Sequence, residues 1–252
     1  MKVRERWGGQ PFDRHALELW QRSTPGRRLL ELEEAELART MPELFGRHFL
    51  QIGSWGRGNR LIGASQMLHS AVLGTVRGFD EQALAEPEHL PVMAKSVDAV
   101  LLPHCLEFVR SPQSVLREVN RILTDRGRVL ILGFNPWSFW GLRKGLGLRH
   151  RAFPQGARLV SVGRLRDWLE LLDFEVCELR RFGLGFPWNA PHSEGLGNAI
   201  QRAFDALADC YLVVAKKRVI PMTLVGRRLR AAVPAIVPAP ATEARRAAHD
   251  QA

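Results

Sequence analysis

The chain has 252 residues, 46% of them hydrophobic, which is enough for one sizeable core and points to one domain with a tail. No apolar run reaches the roughly 18 residues that a membrane span needs, and Met1 to Trp7 carries charges where a secretory leader would be apolar, so membrane-spanning and secreted proteins are set aside. Thirty-six basic against 26 acidic residues give a net charge of +10, which permits a nucleic acid or anionic surface as partner without requiring one.

From the N-terminus, His15 to Arg22 predicts a short helix with Leu17, Leu19 and Trp20 available for packing. Leu29 to Met41 predicts a clearer one, with Leu29, Leu30, Leu32, Leu37 and Met41 at helical spacing between glutamates. Phe49 to Gly53 reads as the first buried strand, Asn59 to His69 as a helix and Ala71 to Val76 as a second strand. Val97 to Leu102 is short, apolar and β-branched, the pattern of a buried parallel strand. Ser111 caps a helix from Pro112 to Leu123, and its stripe is Val115, Leu116, Val119, Ile122 and Leu123. Asp125 and Gly127 turn the chain into a strand over Val129 to Phe134. Ser161 caps a helix through Leu172, and strands follow at Phe174 to Leu179 and Cys210 to Lys216.

Strands alternating with helices predict a doubly wound α/β fold on a mostly parallel sheet, with the last two strands closing it as an antiparallel hairpin. The expected organisation is an N-terminal helical cap over 1–45, an α/β domain over 46–218 with insertions at 135–160 and 180–205, and a basic Ala/Pro/Arg tail over 219–252 that reads as disordered. Cys105, Cys177 and Cys210 are odd in number and widely spaced in apolar runs, so they read as reduced core thiols of a cytoplasmic protein, with no metal site.

Three stretches carry a resemblance. They are Ala85-Glu86-Pro87-Glu88-His89-Leu90-Pro91, then Lys95-Ser96-Val97-Asp98 running to His104-Cys105-Leu106-Glu107, then Gly127 to Asn135 after the helix. Together they resemble the second half of the nucleotide-binding domain of class I S-adenosylmethionine-dependent methyltransferases. The string Gly133-Phe134-Asn135-Pro136-Trp137-Ser138, with Trp168-Leu169 and Ala215-Lys216-Lys217-Arg218, is similar to a proteobacterial group, the YafS-type methyltransferase-like proteins. The resemblance implies a seven-stranded Rossmann-like sheet, S-adenosyl-L-methionine as cofactor and an unidentified methyl acceptor, expected to be a small molecule. A nucleic-acid partner is the less favoured alternative, and oligomeric state is left open.

The residues implied for the cofactor lie at the carboxyl edge of the strands. The glycine turn is Gly53-Ser54-Trp55-Gly56-Arg57-Gly58, with Gln51 where the family has an acid and Trp55 where it has a second glycine. Gly53, Gly56 and Gly58 serve either the cofactor or only a tight turn. Asp80 matches the ribose-gripping carboxylate, yet it stands six residues before Glu86, so either a helix is missing between strands two and three or Asp80 is a turn residue. Glu86 matches the acceptor for the adenine amino group. Asp98 matches an acid whose task is structural. His104 would line the cofactor or, with Glu107, act as a base, the rival being a packing histidine. Asn135, Trp137, Phe139 and Trp140 would face the methyl group or form an apolar lid. Activity requires open space just past Ile52. An indole of Trp55 in that space would leave only the ancestry, as a catalytically inactive scaffold.

Overall fold

The computed structural model describes residues 5–7 and 10–12 (backbone), 19–56, 60–75, 81–138, 141–142, 157–183 and 207–218. The expected tail, Gly58, Asp80, Phe139, Trp140 and most of both insertions lie outside the described residues. A small antiparallel ribbon pairs β1 (Glu5–Trp7) with β2 (Gln10–Phe12). The long N-terminal helix α1 (Thr24–Thr40) is capped by Ser23, whose hydroxyl accepts from the Gly26 amide, and has Pro25 in its first turn.

The strands are β3 (His48–Ile52), β4 (His69–Gly74), β5 (Ala83–Leu84), β6 (Val97–Pro103), β7 (Leu123–Phe134), β8 (Phe174–Phe182) and β9 (Cys210–Lys217). They form one seven-stranded sheet in the order β5-β4-β3-β6-β7-β9-β8. The pairs from β5 to β7 are parallel, and β9 runs antiparallel between β7 and β8, which is the expected closing hairpin. The remaining helices are α2 (Cys105–Phe108), α3 (Pro112–Ile122) and α4 (Val162–Leu171). Ser161 caps α4 by accepting from the Arg164 amide, as its place in the sequence implies. None of the described helices is long and apolar enough to cross a membrane.

Alternation along the strands divides the core between two faces. Leu50, Ile52, Val100, Leu102, Val129 and Ile131 pack under α3 and α4. Phe49, Ala99, Leu101, Leu130, Leu132 and Phe134 pack under α1 and Trp55. Both faces of the central strands are thus buried, so those strands read as continuous apolar runs.

Two expectations change. The helix expected over 59–69 is a run of turns in the described part, with β4 starting at His69. Gly63 disfavours a helix there, and the Ser65 hydroxyl accepts from the Met67 amide 3.2 Å away, a local bond that competes with helical pairing. At the other end of β4, Gln82 extends the sheet by itself. Its amide donates to the Val72 carbonyl at 3.1 Å and its side-chain Oε1 accepts from the Val72 amide at 2.6 Å. β5 then follows so closely that the strand 2–helix–strand 3 region is short, as the sequence suggested. Finally, β7 begins at Leu123 rather than Val129, and its register against β6 jumps between Val97↔Leu123 and Ala99↔Arg128, so residues 124–127 form a bulge instead of a turn.

Candidate functional site

β3 has β4 on one side and β6 on the other, so the chain reverses direction of winding at β3, and the switch-point crevice where such sheets bind ligands would lie past the ends of β3 and β6. Gly53 opens the turn there at φ +108°, a conformation that favours glycine, while its amide continues the ladder to the Leu73 carbonyl at 2.8 Å. A Cβ on Gly53 would lie 3.6 Å from the Cys105 Cβ, so the backbone is strained but not crowded by its neighbours. Gly56 has φ +80° in the same turn.

Gln51 is buried beneath the turn, and its amide nitrogen donates to the carbonyls of Gly53 and Trp55, 3.0 Å from each. A carboxylate has no proton for either bond. The glutamine in the acid's place and the altered loop therefore form one coherent unit. The loop delivers the Trp55 indole into the crevice, where it is 3% exposed with its ring centre 4.2 Å from that of His104. Phe134 closes the stack, 3.9 Å from His104 and 5.8 Å from Trp55. The open space expected past Ile52 is thus filled by the indole in this conformation. The physical cause is a hydrogen bond of 2.7 Å from the Trp55 Nε1 to Glu33 Oε2.

Glu33 reaches the site from α1 and is fully buried. Its other oxygen, Oε1, lies 2.6 Å from His104 Nε2. On the far side, His104 Nδ1 is 3.5 Å from Glu107 Oε1, which also accepts the Phe134 amide at 2.6 Å. Burial by itself would lower the His104 pKa, but the carboxylates of Glu33 and Glu107 override it and raise it to about 9. A ring protonated at neutral pH has no lone pair to take a proton. The base role expected of His104 therefore has no support in this conformation, and neither does that of Glu107, which is buried behind the ring. Sequence reasoning missed Glu33. Its signal was the heptad position: it lies on the stripe between Leu29, Leu30 and Leu37 that α1 buries, where Leu32 was expected and is only half-buried.

At the end of β4, a Cβ on Gly74 would collide with the Glu81 side chain and come within 2.9 Å of the Ser54 hydroxyl. The acidic side chain described beside the end of β4 is that of Glu81, the neighbour of the expected Asp80. Glu86 sits at the surface, its carboxylate 3.7 Å from His89 Nδ1. The loop behind it is fixed from α3. Glu118 Oε2 accepts the Leu90 amide at 3.0 Å, and the Arg121 guanidinium donates to the carbonyls of Leu90 and Val92, both at 2.9 Å. Asp98 has the structural task expected of it, accepting the amides of Arg47 and His48 at 2.7 and 3.2 Å. Asn135 makes a local turn, its Oδ1 accepting the Trp137 amide at 3.1 Å, while Trp137 itself is exposed.

The polar groups around the crevice suit the polar end of an amino-acid nucleoside. Gln51 Oε1 and the Ser54 hydroxyl are buried with no hydrogen-bond partner among the described residues, an arrangement that costs stability unless water or a ligand meets them. The indole is buried against His104 and Phe134 at the ends of β6 and β7, so the residues fit S-adenosylmethionine only with Trp55 moved aside.

A family profile described as a methyltransferase domain matches residues 61–131. The uncharacterised protein YafS of Escherichia coli is 38% identical over 191 residues, covering 76% of this chain and 77% of YafS. An uncharacterised Mycobacterium tuberculosis protein is 33% identical over 177 residues, covering 67% of this chain and 60% of that protein. Among solved structures, a Thermotoga maritima S-adenosylmethionine-dependent methyltransferase, described as a possible histamine N-methyltransferase, superposes with a TM-score of 0.57 at 19% identity, covering 81% of this chain and 99% of that one. A putative Haloferax volcanii methyltransferase, solved with the activator Trm112, gives 0.58 at 14% identity over 82% and 98% of the two chains. The sheet order, the glycine turn at its switch point and the extent of the match to YafS lead to one conclusion: the chain belongs to the YafS family, on the fold of the class I methyltransferases whose cofactor is S-adenosylmethionine.

Proposed function

We propose that the protein transfers a methyl group from S-adenosylmethionine to an acceptor not yet identified, of small-molecule size. The observation that carries this reading is the pair of buried acceptors, Gln51 Oε1 and Ser54 Oγ, that have no partner among the described residues, beside the positive-φ Gly53 turn at the switch point of a seven-stranded methyltransferase-type sheet. Gln51 and the Gly53 turn would receive the amino-acid end, Glu81 the ribose hydroxyls and Glu86 the adenine amino group. Bound, the cofactor supplies a methyl group on a sulfonium centre. The chain's own task is placement and exclusion of water. Phe134 at the end of β7 would present an aromatic face that suits a neighbouring cation. Helix α1 lies over this edge through Glu33, which restricts access and favours a small acceptor over a polymer. Cys105 and Cys210 are core thiols as expected, whereas Cys177 is exposed because it lies on β8 at the edge of the sheet, and the three free cysteines fit a reducing compartment such as the cytoplasm.

The buried indole favours a second reading, a scaffold that kept the fold and lost the cofactor. A crystal structure of the full chain soaked with S-adenosylhomocysteine separates the two. Methyl transfer requires the nucleoside across the end of β3 with Trp55 displaced. An empty crevice with the indole still on His104 at saturating ligand would establish the scaffold.

A further inference from the structure

We infer that Glu33, His104 and Cys210 form a metal-binding site for a divalent ion of borderline softness, zinc being the best fit. One carboxylate oxygen, one imidazole nitrogen and one sulfur lie within 4.8 Å of one another, and all three side chains are buried. The donors come from three separate elements: the middle of α1, the residue after β6 and the first residue of β9. They converge within an otherwise apolar cluster of Phe49, Trp55, Leu132, Phe134 and Leu212. Burying an acid and an imidazole in such surroundings is costly, and a bound cation offsets that cost more fully than a shared proton does.

The groups behind the donors are arranged as a metal's supporting shell. With Nε2 on an ion, the ring proton must sit on Nδ1, and the group facing Nδ1 is the Glu107 carboxylate at 3.5 Å. Neither Nδ1 nor Glu107 Oε2 has a hydrogen-bond partner among the described residues, so this tautomer would aim the ring N–H at the Glu107 carboxylate it already faces. Glu33 Oε2 is oriented in turn by the Trp55 indole N–H, which leaves Oε1 for the ion. The Cys210 thiol is free and is pushed well above its ordinary pKa by burial and by Glu33, Asp209 and Glu107. Coordination would require the thiol proton and the His104 Nε2 proton both to leave to solvent as the ion enters. A set of one nitrogen, one oxygen and one sulfur is the mixed donor set that zinc accepts, with a fourth position for water or another heteroatom. The inference stands whether or not the chain methylates anything.

Cobalt(II) titrated into the chelator-treated full chain tests the site. One equivalent should bind, with a sulfur-to-cobalt charge-transfer band in the near ultraviolet and the visible bands of a four-coordinate ion. Cys210→Ser should remove the charge-transfer band and keep visible absorption, while Glu33→Gln and His104→Gln should each weaken binding by about tenfold or more. Zinc should raise the melting temperature of the wild type and leave that of His104→Gln unchanged. The inference is overturned if the wild type binds no cobalt at one equivalent. It is equally overturned if the folded Cys210→Ser and Glu33→Gln chains give the wild-type spectrum and affinity, because the ion then sits elsewhere. Should the variants fail to fold, X-ray absorption of the zinc-loaded wild type decides, by the presence or absence of one sulfur neighbour at about 2.3 Å.

Discussion

Gln51 and Trp55 are the two positions where the chain departs from the family's loop, and they act together. Gln51 holds the carbonyl of Trp55, and Trp55 holds Glu33. Restoring the family's acid with Gln51→Glu should therefore destabilise the chain by about 2 kcal/mol or more, since two buried donated bonds are lost; urea denaturation measures this, and a neutral substitution would mean the loop is not built on the glutamine. Trp55→Phe keeps a ring in the crevice but strands Glu33 Oε2, so a loss of about 1–3 kcal/mol is expected by the same measurement. Both departures were visible in the sequence as mismatches. Their joint consequence was not, because nothing local in residues 51–58 reveals that a glutamate more than twenty positions upstream will receive the indole. Glu33 itself was legible only as a charged residue on an apolar stripe. His104 was singled out correctly as lying at the carboxyl edge, but its burial between two carboxylates depends on α1, which the sequence does not place.

Helices α1 and α3 act as clamps on opposite faces of the sheet. Helix α1 carries Glu33 to the crevice, and Ser23 fixes its first turn. Ser23→Ala should cost about 1 kcal/mol of stability, the usual loss for an N-cap, and should raise hydrogen exchange in the first turn of α1 before that of α4. Helix α3 holds the Glu86 loop through Glu118 and Arg121. The hydrogen bond from Arg121 holds the Glu118 carboxyl below its ordinary pKa. A carboxylate whose pKa is depressed in the folded state stabilises it above its unfolded pKa and loses that contribution as pH falls through the folded one. Protection of the Leu90 amide should therefore be lost as pH falls through the lowered folded-state pKa of Glu118, and Arg121→Ala should move that loss to higher pH. No shift of the onset in Arg121→Ala would show that the loop is held otherwise. The helices α3 and α4 were readable from Ser-capped apolar stripes. The expected 59–69 helix failed because Leu61, Ile62 and Met67 are buried one by one from a turn-rich segment instead of sharing a face.

Taken whole, the sheet was largely legible, because buried parallel strands are continuous apolar runs and the alternation of strands and helices leaves few topologies. β5 escaped because two residues carry no periodicity, and Gln82 completes the edge with its side chain. The Gly53 turn and His104 at the carboxyl ends of the strands were legible, and whether the space beside them is open was not, since that depends on how α1 meets the Gly53 turn. The central claim is that the space beneath Trp55 is a cofactor site which the indole covers. Calorimetric titration of S-adenosylhomocysteine into the full chain and into Trp55→Ala tests it most directly, with circular dichroism confirming that the variant is folded. The account expects one saturable site in the wild type and tighter binding in Trp55→Ala, because the variant no longer has to move an indole. Heat of binding from neither folded protein would contradict it, leaving a methyltransferase sheet with no cofactor.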